Sequence, residues 1–120
     1  MFNVFYYRNK DGKSEIEEYL RTLTTKSDKD SRIKANKILD YIDYLEQNGN
    51  QAKEPYAKHL DGDIWELRPI RDRILYAVWD DNSFILLHYF IKKTQKTPPH
   101  EIKQAKRNLS DYRERSGENE

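Results

Sequence analysis

The fold of this chain is decided by one stretch, residues 64–97, which reads IWELRPIRDRILYAVWDDNSFILLHYFIKKTQKT. It contains three runs rich in β-branched and aromatic residues, at 64–69, 73–79 and 84–91, and two short polar breaks separate them. Such runs predict three consecutive antiparallel strands. We therefore expect a β-meander at the centre of the fold.

The register of this meander follows if residues 69–72 and 80–83 form four-residue loops. Arg68 then lies opposite Arg73, and Trp79 lies opposite Phe84. Because side chains alternate between the two faces of a strand, one face collects only uncharged residues and is predicted to be core: Trp65, Leu67, Ile74, Tyr76, Val78, Ile85, Leu87, Tyr89 and Ile91. The other face carries Ile64, Glu66, Arg68, Arg73, Leu75, Ala77, Trp79, Phe84, Leu86, His88, Phe90 and Lys92.

The two facing arginines allow two interpretations. Like charges directly opposite each other destabilise a sheet, so an anion between Arg68 and Arg73 would explain them, and the planar guanidinium suits phosphate. Alternatively, both arginines lie at a sheet edge and pair with Glu66 or with carboxylates of a helix.

Composition limits the remaining possibilities. The chain has 120 residues, of which 36% are charged, and a formal net charge of only +1. This length predicts a single domain, which we place at residues 1–113, followed by a polar, frayed carboxy-terminal tail at 114–120. Cysteine is absent, which excludes disulfides and thiolate metal sites. No apolar run approaches the roughly 20 residues of a membrane span, and no signal peptide is recognisable, so we expect a cytoplasmic protein.

The rest of the chain predicts elements around the meander. Phe2–Tyr7 is predicted to be a first strand at an edge of the meander, and residues 50–63 an irregular connection. Ser14 and Glu17 have capping-box spacing and open a helix to about residue 23; a second helix runs from about 31 to 47 and forms a hairpin with it on the apolar face. Thr97, before two prolines, is the predicted N-cap of a last helix.

The patterns that remain for chemistry are basic and aromatic. The three histidines lack metal-ligand spacing, and there is no glycine-rich phosphate loop and no nucleophile motif. Cationic side chains hold phosphates, and aromatic rings stack on unpaired bases. Such a surface could also cleave RNA without a metal, because the 2′-hydroxyl is an internal nucleophile.

The same residues resemble the HigB branch of the RelE/ParE toxin superfamily, also described as phage-derived toxin-like proteins. The resemblance is carried by the segments at 65–68, 73–76, 87–98 and 101–105, WELR, RILY, LHYFIKKTQKTP and EIKQA. It implies an α+β, RelE-like fold: an antiparallel sheet with an N-terminal helical hairpin on one face and a C-terminal helix, in the order β-α-α-β-β-β-α.

The resemblance implies the toxin of a type II toxin–antitoxin pair, a ribosome-dependent endoribonuclease that cuts mRNA without a cofactor or metal. A helix-turn-helix, HigA-like antitoxin would hold it inactive, and only their complex would bind operator DNA. Gyrase inhibition of the ParE type and a non-catalytic, phage-derived binding module are the alternatives.

Site residues follow position by position. Arg73 matches the strand arginine that contacts the scissile phosphate in RelE-like enzymes, Lys93 falls near their second catalytic arginine, and Arg68 matches a basic strand position. His88 completes the catalytic set from the predicted register, and the RNA-binding set is Lys92, Lys96, Phe90, Lys103 and Arg107.

The chain also departs from the RelE pattern. The paired strand lysines of RelE are replaced by Ile64 and Glu66. Its catalytic tyrosine has no direct counterpart, and His100 and Tyr112 are the two candidates to replace it, depending on where a gap is placed. The general acid and base therefore stay open among Glu66, His88, His100 and a lysine.

Overall fold

The computed structural model describes residues 1–118, which form an α+β domain. The described chain contains five strands, three α-helices and a short 3₁₀ turn at Gly49–Gln51. Their order is β1 (Asn3–Tyr6), α1 (Glu15–Thr25), α2 (Lys29–Asn48), β2 (Ala57–Asp61), β3 (Ile64–Leu67), β4 (Asp72–Asp80), β5 (Ser83–Ile91) and α3 (Pro99–Glu118).

The sheet is mixed, with strand order β1-β5-β4-β3-β2. Strands β2 to β5 pair antiparallel, as predicted for the meander, but β1 pairs parallel with β5, so the prediction of an entirely antiparallel sheet is wrong. The parallel direction arises because β1 and β5 start at the same end of the sheet, where the Asn3 N–H donates to the Asn82 carbonyl at 2.8 Å. The edge position predicted for the first strand is confirmed.

Strand β2 lies inside the segment expected to be irregular, and the predicted four-strand order is therefore one strand short. A tight turn with Gly62 at φ +56° brings β2 back against β3, with His59 opposite Trp65. The His59 Nε2 lies 2.7 Å from the Gly62 carbonyl oxygen, and its ring packs 5.0 Å from that of Trp65. These contacts indicate a structural role for His59 within the β2–β3 hairpin.

Helices α1 and α2 each begin after a residue whose side chain caps the first turn. Ser14 accepts a hydrogen bond from the Glu17 N–H at 3.2 Å, which confirms the predicted start of α1. Helix α2 begins two residues earlier than predicted, because Asp28 caps it by accepting from the Ser31 N–H at 2.9 Å. Gly49 ends α2 with a φ of +52°, where its N–H donates to the Leu45 carbonyl.

The β4–β5 register was predicted correctly at the end of the sheet where β4 begins and β5 ends. Arg73 lies opposite Phe90 and Leu75 opposite His88, as expected. A β-bulge at Leu87 then shifts the pairing by one residue, and the strands meet in a two-residue turn at 81–82. Val78, and not Trp79, therefore lies opposite Phe84.

This shift exchanges β5 side chains between the two faces, so the predicted division is wrong for residues 84–87, whereas the β4 residues Tyr76 and Ala77 lie on the predicted faces. Phe84 and Leu86 pack with α1 and α2, whereas Ile85 and Leu87 pack beneath α3. The second face is not an open basic surface, because Ala105 and Leu109 of α3 pack on its apolar residues: Ile64, Leu75, Ala77, Ile85, Leu87 and Phe90. Charged groups on that face remain at the end where β4 begins and α3 starts.

Helix α3 continues through Glu118, so residues 114–118, expected to be a frayed tail, are helical. The last two residues of the predicted tail lie outside the described part of the chain. No helix among residues 1–118 is long and apolar enough to cross a membrane.

Candidate functional site

A buried carboxylate lies between the two arginines predicted to face each other. The Glu66 side chain on β3 is 3% exposed, and its oxygens lie 3.6 Å from the Arg68 Nε and 3.9 Å from the Arg73 Nε. The Thr97 hydroxyl donates to the same carboxylate at 2.5 Å. Of the two interpretations of the arginine pair, the structure supports the second, in which the anion is Glu66 itself.

Arg73 is enclosed by its own turn. It is 6% exposed, and its Nη1 donates to the carbonyl oxygens of Ile70 at 3.0 Å and Asp72 at 2.8 Å. Its Nε is buried and has no hydrogen-bond partner within residues 1–118. Burial lowers the pKa of this guanidinium, which the nearby Glu66 carboxylate partly offsets.

The turn that encloses Arg73 is strained at Ile70. The φ of Ile70 is +53°, a left-handed conformation that is unfavourable for a β-branched residue. This conformation directs the Ile70 carbonyl to Arg73, while the Ile70 side chain is 53% exposed. Unfavourable backbone conformations of this kind cluster at functional sites, which supports a functional reading of this end of the sheet.

Arg68, Arg73 and the Glu66 carboxylate between them form an arginine cluster. Next to it lies an open cleft of about 440 Å³ between the end of β5 and the start of α3. Residues that line it include Tyr89, Phe90, Lys93, Thr94, His100 and Glu101. Lys93 and His100 are exposed, so a ligand in the cleft can reach both. The cleft therefore joins a cation, an imidazole and a carboxylate.

Glu101 connects the cleft to His88. Its Oε1 lies 2.8 Å from the His88 Nε2, and its Oε2 lies 3.7 Å from the His100 Nε2. The His88 Nδ1 is buried without a hydrogen-bond partner in the described chain, and its side chain is 12% exposed. His88 is therefore fixed beneath the helix, whereas His100 lies in the cleft.

The predicted RNA-binding residues differ in exposure. Phe90 is 8% exposed and belongs to the core beneath α3, and it is also among the residues that line the cleft. Lys96, Lys103 and Arg107 are exposed, the last two along α3, where the Arg107 Nη2 donates to the Gln104 side chain at 2.7 Å. Lys92 is half-buried, and its backbone N–H donates to the Arg71 carbonyl.

Sequence reasoning missed two side chains that organise the site. Thr97 was predicted as an N-cap but instead donates its hydroxyl to Glu66, 31 positions earlier. Glu101 was given no role, although it joins two histidines that were candidates. No local pattern marks either role, because both depend on where α3 crosses the sheet.

Residues 1–118 contain no group of three or more histidine, aspartate or glutamate side chains placed to hold a metal ion. The chemistry that the described site can offer is phosphate binding by Lys93 and Arg68 and proton transfer by His100 or Glu101.

Comparison with known proteins places the chain in a family. Residues 18–110 match the family described as phage-derived protein Gp49-like. The chain belongs to the Gp49-like family. This family is part of the RelE/ParE-like toxin superfamily, and the match extends from α1 to the middle of α3, so it includes the arginine cluster and the cleft. No curated protein matches the chain.

Proposed function

We propose that this Gp49-like protein is the toxin of a type II toxin–antitoxin pair, of the HigB branch, and that it cleaves mRNA on the ribosome. A helix-turn-helix antitoxin is its proposed inhibitor, and the complex of the two is the proposed repressor of their operon. Membership of a toxin superfamily supports the general role. The observation that carries the nuclease activity is the cleft, in which Lys93 and His100 are exposed beside the buried arginine cluster.

The cleft fits the demands of RNA cleavage by the 2′-hydroxyl. The 2′-oxygen attacks the adjacent phosphorus, the bond to the 5′-oxygen breaks, and a 2′,3′-cyclic phosphate and a 5′-hydroxyl result. One proton must leave the 2′-oxygen and one must reach the 5′-oxygen. Negative charge on the phosphorane oxygens must also be stabilised.

The exposure of the candidate residues supports the following proposed roles. Lys93 is exposed and the Arg68 side chain is 25% exposed, so these cations are the proposed direct phosphate contacts. His100 is the proposed proton carrier, because its side chain is 77% exposed and lies beside Glu101. Glu66 and His88 are too enclosed for this task. Arg73 contributes positive charge from beneath, and reaches a phosphate directly only if the Ile70 turn opens.

Gyrase inhibition is the main competing function within the superfamily. It acts through protein binding and needs neither an imidazole nor a lysine in a cleft. The grouping of Lys93, His100 and Glu101 therefore favours the nuclease.

The test is inducible expression with mapping of mRNA 5′ ends, with and without translation. We expect growth arrest and new 5′ ends that depend on translation. Arg73→Ala, Lys93→Ala and His100→Ala should each remove most of the cleavage, and the last two change exposed side chains, so they leave the fold intact. Lys10→Ala, which alters an exposed lysine before α1, is the matched control and should keep full activity.

Other results of this experiment would contradict the proposed site or indicate a different function. Full cleavage by Lys93→Ala and His100→Ala, both folded, would remove the proposed site. DNA-damage signalling with intact mRNA would indicate a gyrase inhibitor, and normal growth without the antitoxin would indicate a non-catalytic binding module.

A further inference from the structure

The carboxylate of Asp72, at the start of β4, is buried and has no part in the proposed reaction. Asp72 is 1% exposed, and its Oδ1 accepts a hydrogen bond from the Tyr19 hydroxyl at 2.7 Å. The Lys34 Nζ lies 3.8 Å from the same oxygen and 5.6 Å from the centre of the Tyr19 ring. Asp72 is thus tied to α1 by a hydrogen bond and to α2 by an ion pair.

The backbone of Asp72 holds Arg73. Its carbonyl accepts from the Arg73 Nη1 at 2.8 Å, and its N–H donates to the Pro69 carbonyl at 2.9 Å, which closes the strained turn. A movement of Asp72 would therefore move both the guanidinium and the turn that encloses it.

Tyr19 also contacts a residue that lines the cleft. Its ring stacks on that of Tyr89 with centroids 4.3 Å apart and planes 9° apart, and Tyr89 lines the cleft with Lys93. Asp72 lies opposite Ile91 in the β4–β5 pairing, just before the loop that carries Lys93. The same tyrosine thus contacts β4 through its hydroxyl and β5 through its ring.

We propose that Tyr19 and Asp72 form a positioning pair, through which the helical hairpin fixes the Arg73 guanidinium against the cleft. The functional consequence rests on the nuclease proposed above, whereas the effect on Arg73 does not. Neither residue touches the substrate in this proposal. Displacement of a positioned group by about 1 Å can slow a reaction by roughly 100-fold, so a single hydroxyl at this place has a measurable effect.

The chain offers a matched control for the lost hydrogen bond. The Tyr7 hydroxyl donates to the Asp111 Oδ2, also at 2.7 Å and also partly buried. This bond joins the residue that follows β1 to the second half of α3. Tyr7→Phe and Tyr19→Phe therefore remove the same kind of bond. A role in stability alone predicts that both variants lose stability and neither loses specific activity.

Two measurements separate positioning from stability. The first is ribosome-dependent cleavage, for which we expect Tyr19→Phe to lower kcat by roughly 10- to 100-fold with little change in KM, and Tyr7→Phe to match the wild type. In an Arg73→Lys background, Tyr19→Phe should lower kcat no further, because the group that it positions is already changed.

The second measurement needs no activity. The solvent exchange of the Arg73 Nε–H is followed by ¹⁵N NMR, with its signal identified by its loss in Arg73→Lys. We expect Tyr19→Phe to speed this exchange by roughly 2- to 10-fold, the range that corresponds to one net hydrogen bond, and Tyr7→Phe to leave it unchanged.

Equal exchange in Tyr19→Phe and the wild type would overturn the positioning pair. So would an undiminished kcat, or a full further loss of kcat in the Arg73→Lys background. If the wild type cleaves no mRNA, the proposed function fails, and the exchange measurement alone then decides whether Tyr19 and Asp72 position Arg73.

Discussion

Glu66→Gln tests whether the protein's own carboxylate neutralises the arginine pair. Glutamine keeps the length of the side chain and retains a carbonyl oxygen that accepts from the Thr97 hydroxyl, so the substitution removes mainly the negative charge. Arg68 and Arg73 then face each other without a counter-charge at the position where Glu66 oxygens lay 3.6 and 3.9 Å from their Nε atoms. We expect a marked loss of stability.

The size of this loss follows from distance and burial. Two unit charges about 4 Å apart attract by about 4 kcal/mol at an effective dielectric constant of about 20, and removal of one partner of a buried pair typically costs about 3–5 kcal/mol. Both contacts exceed hydrogen-bond length and the Arg68 side chain is 25% exposed, which favours the lower end. We expect the free energy of unfolding to fall by about 3 kcal/mol, or Tm by roughly 12 °C in a chain of this size.

Urea unfolding followed by tryptophan fluorescence measures this change. The control is Glu17→Gln, because Glu17 pairs with Arg8 through side chains that are 30% and 50% exposed, and such surface pairs contribute at most about 1 kcal/mol. If Glu66→Gln were no more destabilising than this control, the arginines would not need the carboxylate, and the assignment of Glu66 as their anion would be wrong.

An added anion provides a second test of the same reasoning. If Glu66 occupies the place of an anion, sulfate should bind the Glu66→Gln protein there and restore stability, by about 2.7 kcal/mol at a concentration 100 times its Kd. The wild type in the same sulfate corrects for the general stabilising effect of this salt. Equal gains in both proteins would show that no anion site was vacated.

Two further predictions concern the frame of the fold. Gly49→Ala should lower the free energy of unfolding by more than about 2 kcal/mol, because the φ is positive and a Cβ there would lie 2.3 Å from the Phe2 ring. Gly62→Ala, with a similar φ but open space around it, should lower it by only about 1–2 kcal/mol. Urea unfolding measures both changes. Stability should also fall below about pH 4 in an acid titration, because hydrogen bonds hold several carboxyl pKa values, those of Asp28 and Asp111 among them, below their ordinary range. A depressed folded-state pKa gives stability that is lost as the pH falls. The donors are the Ser31 N–H for Asp28 and the Tyr7 hydroxyl for Asp111; a flat profile from pH 6 to pH 3 would contradict this.

The helices and half of the central hairpin were predictable from periodicity. Ile16, Leu20 and Leu23 of α1 recur at helical spacing and are buried, and the residues of α3 with the same spacing, Ala105 and Leu109 among them, pack on the sheet. Periodicity fails in β5, because residues 84–87 are all apolar and either face can bury them. The bulge at Leu87 was therefore invisible in the sequence, and the face assignment of four residues changed with it.

Strand β2 escaped prediction for a related reason. Of its five residues only Ala57 is buried, and the others are exposed or half-buried polar and leucine side chains. An edge strand needs only one good face, so its sequence carries little alternation. At the site, the sequence predicted roles for Arg68, Arg73 and Lys93. The proposed roles of Glu101, Thr97 and Tyr19 depend on the packing of α3 and α1 and have no sequence signature.

The arrangement around Glu66 changes what the arginine pair can do. A phosphate held between Arg68 and Arg73 would have to displace a carboxylate that is 3% exposed and also holds Thr97. That exchange would release the loop between β5 and α3, since Thr97 anchors it to the sheet. Direct phosphate contact is therefore easier at Lys93 and in the open cleft, where no internal anion must first be displaced. Arg73, which is 6% exposed, is therefore better suited to fix the shape and the positive potential of this end of the sheet than to hold the substrate.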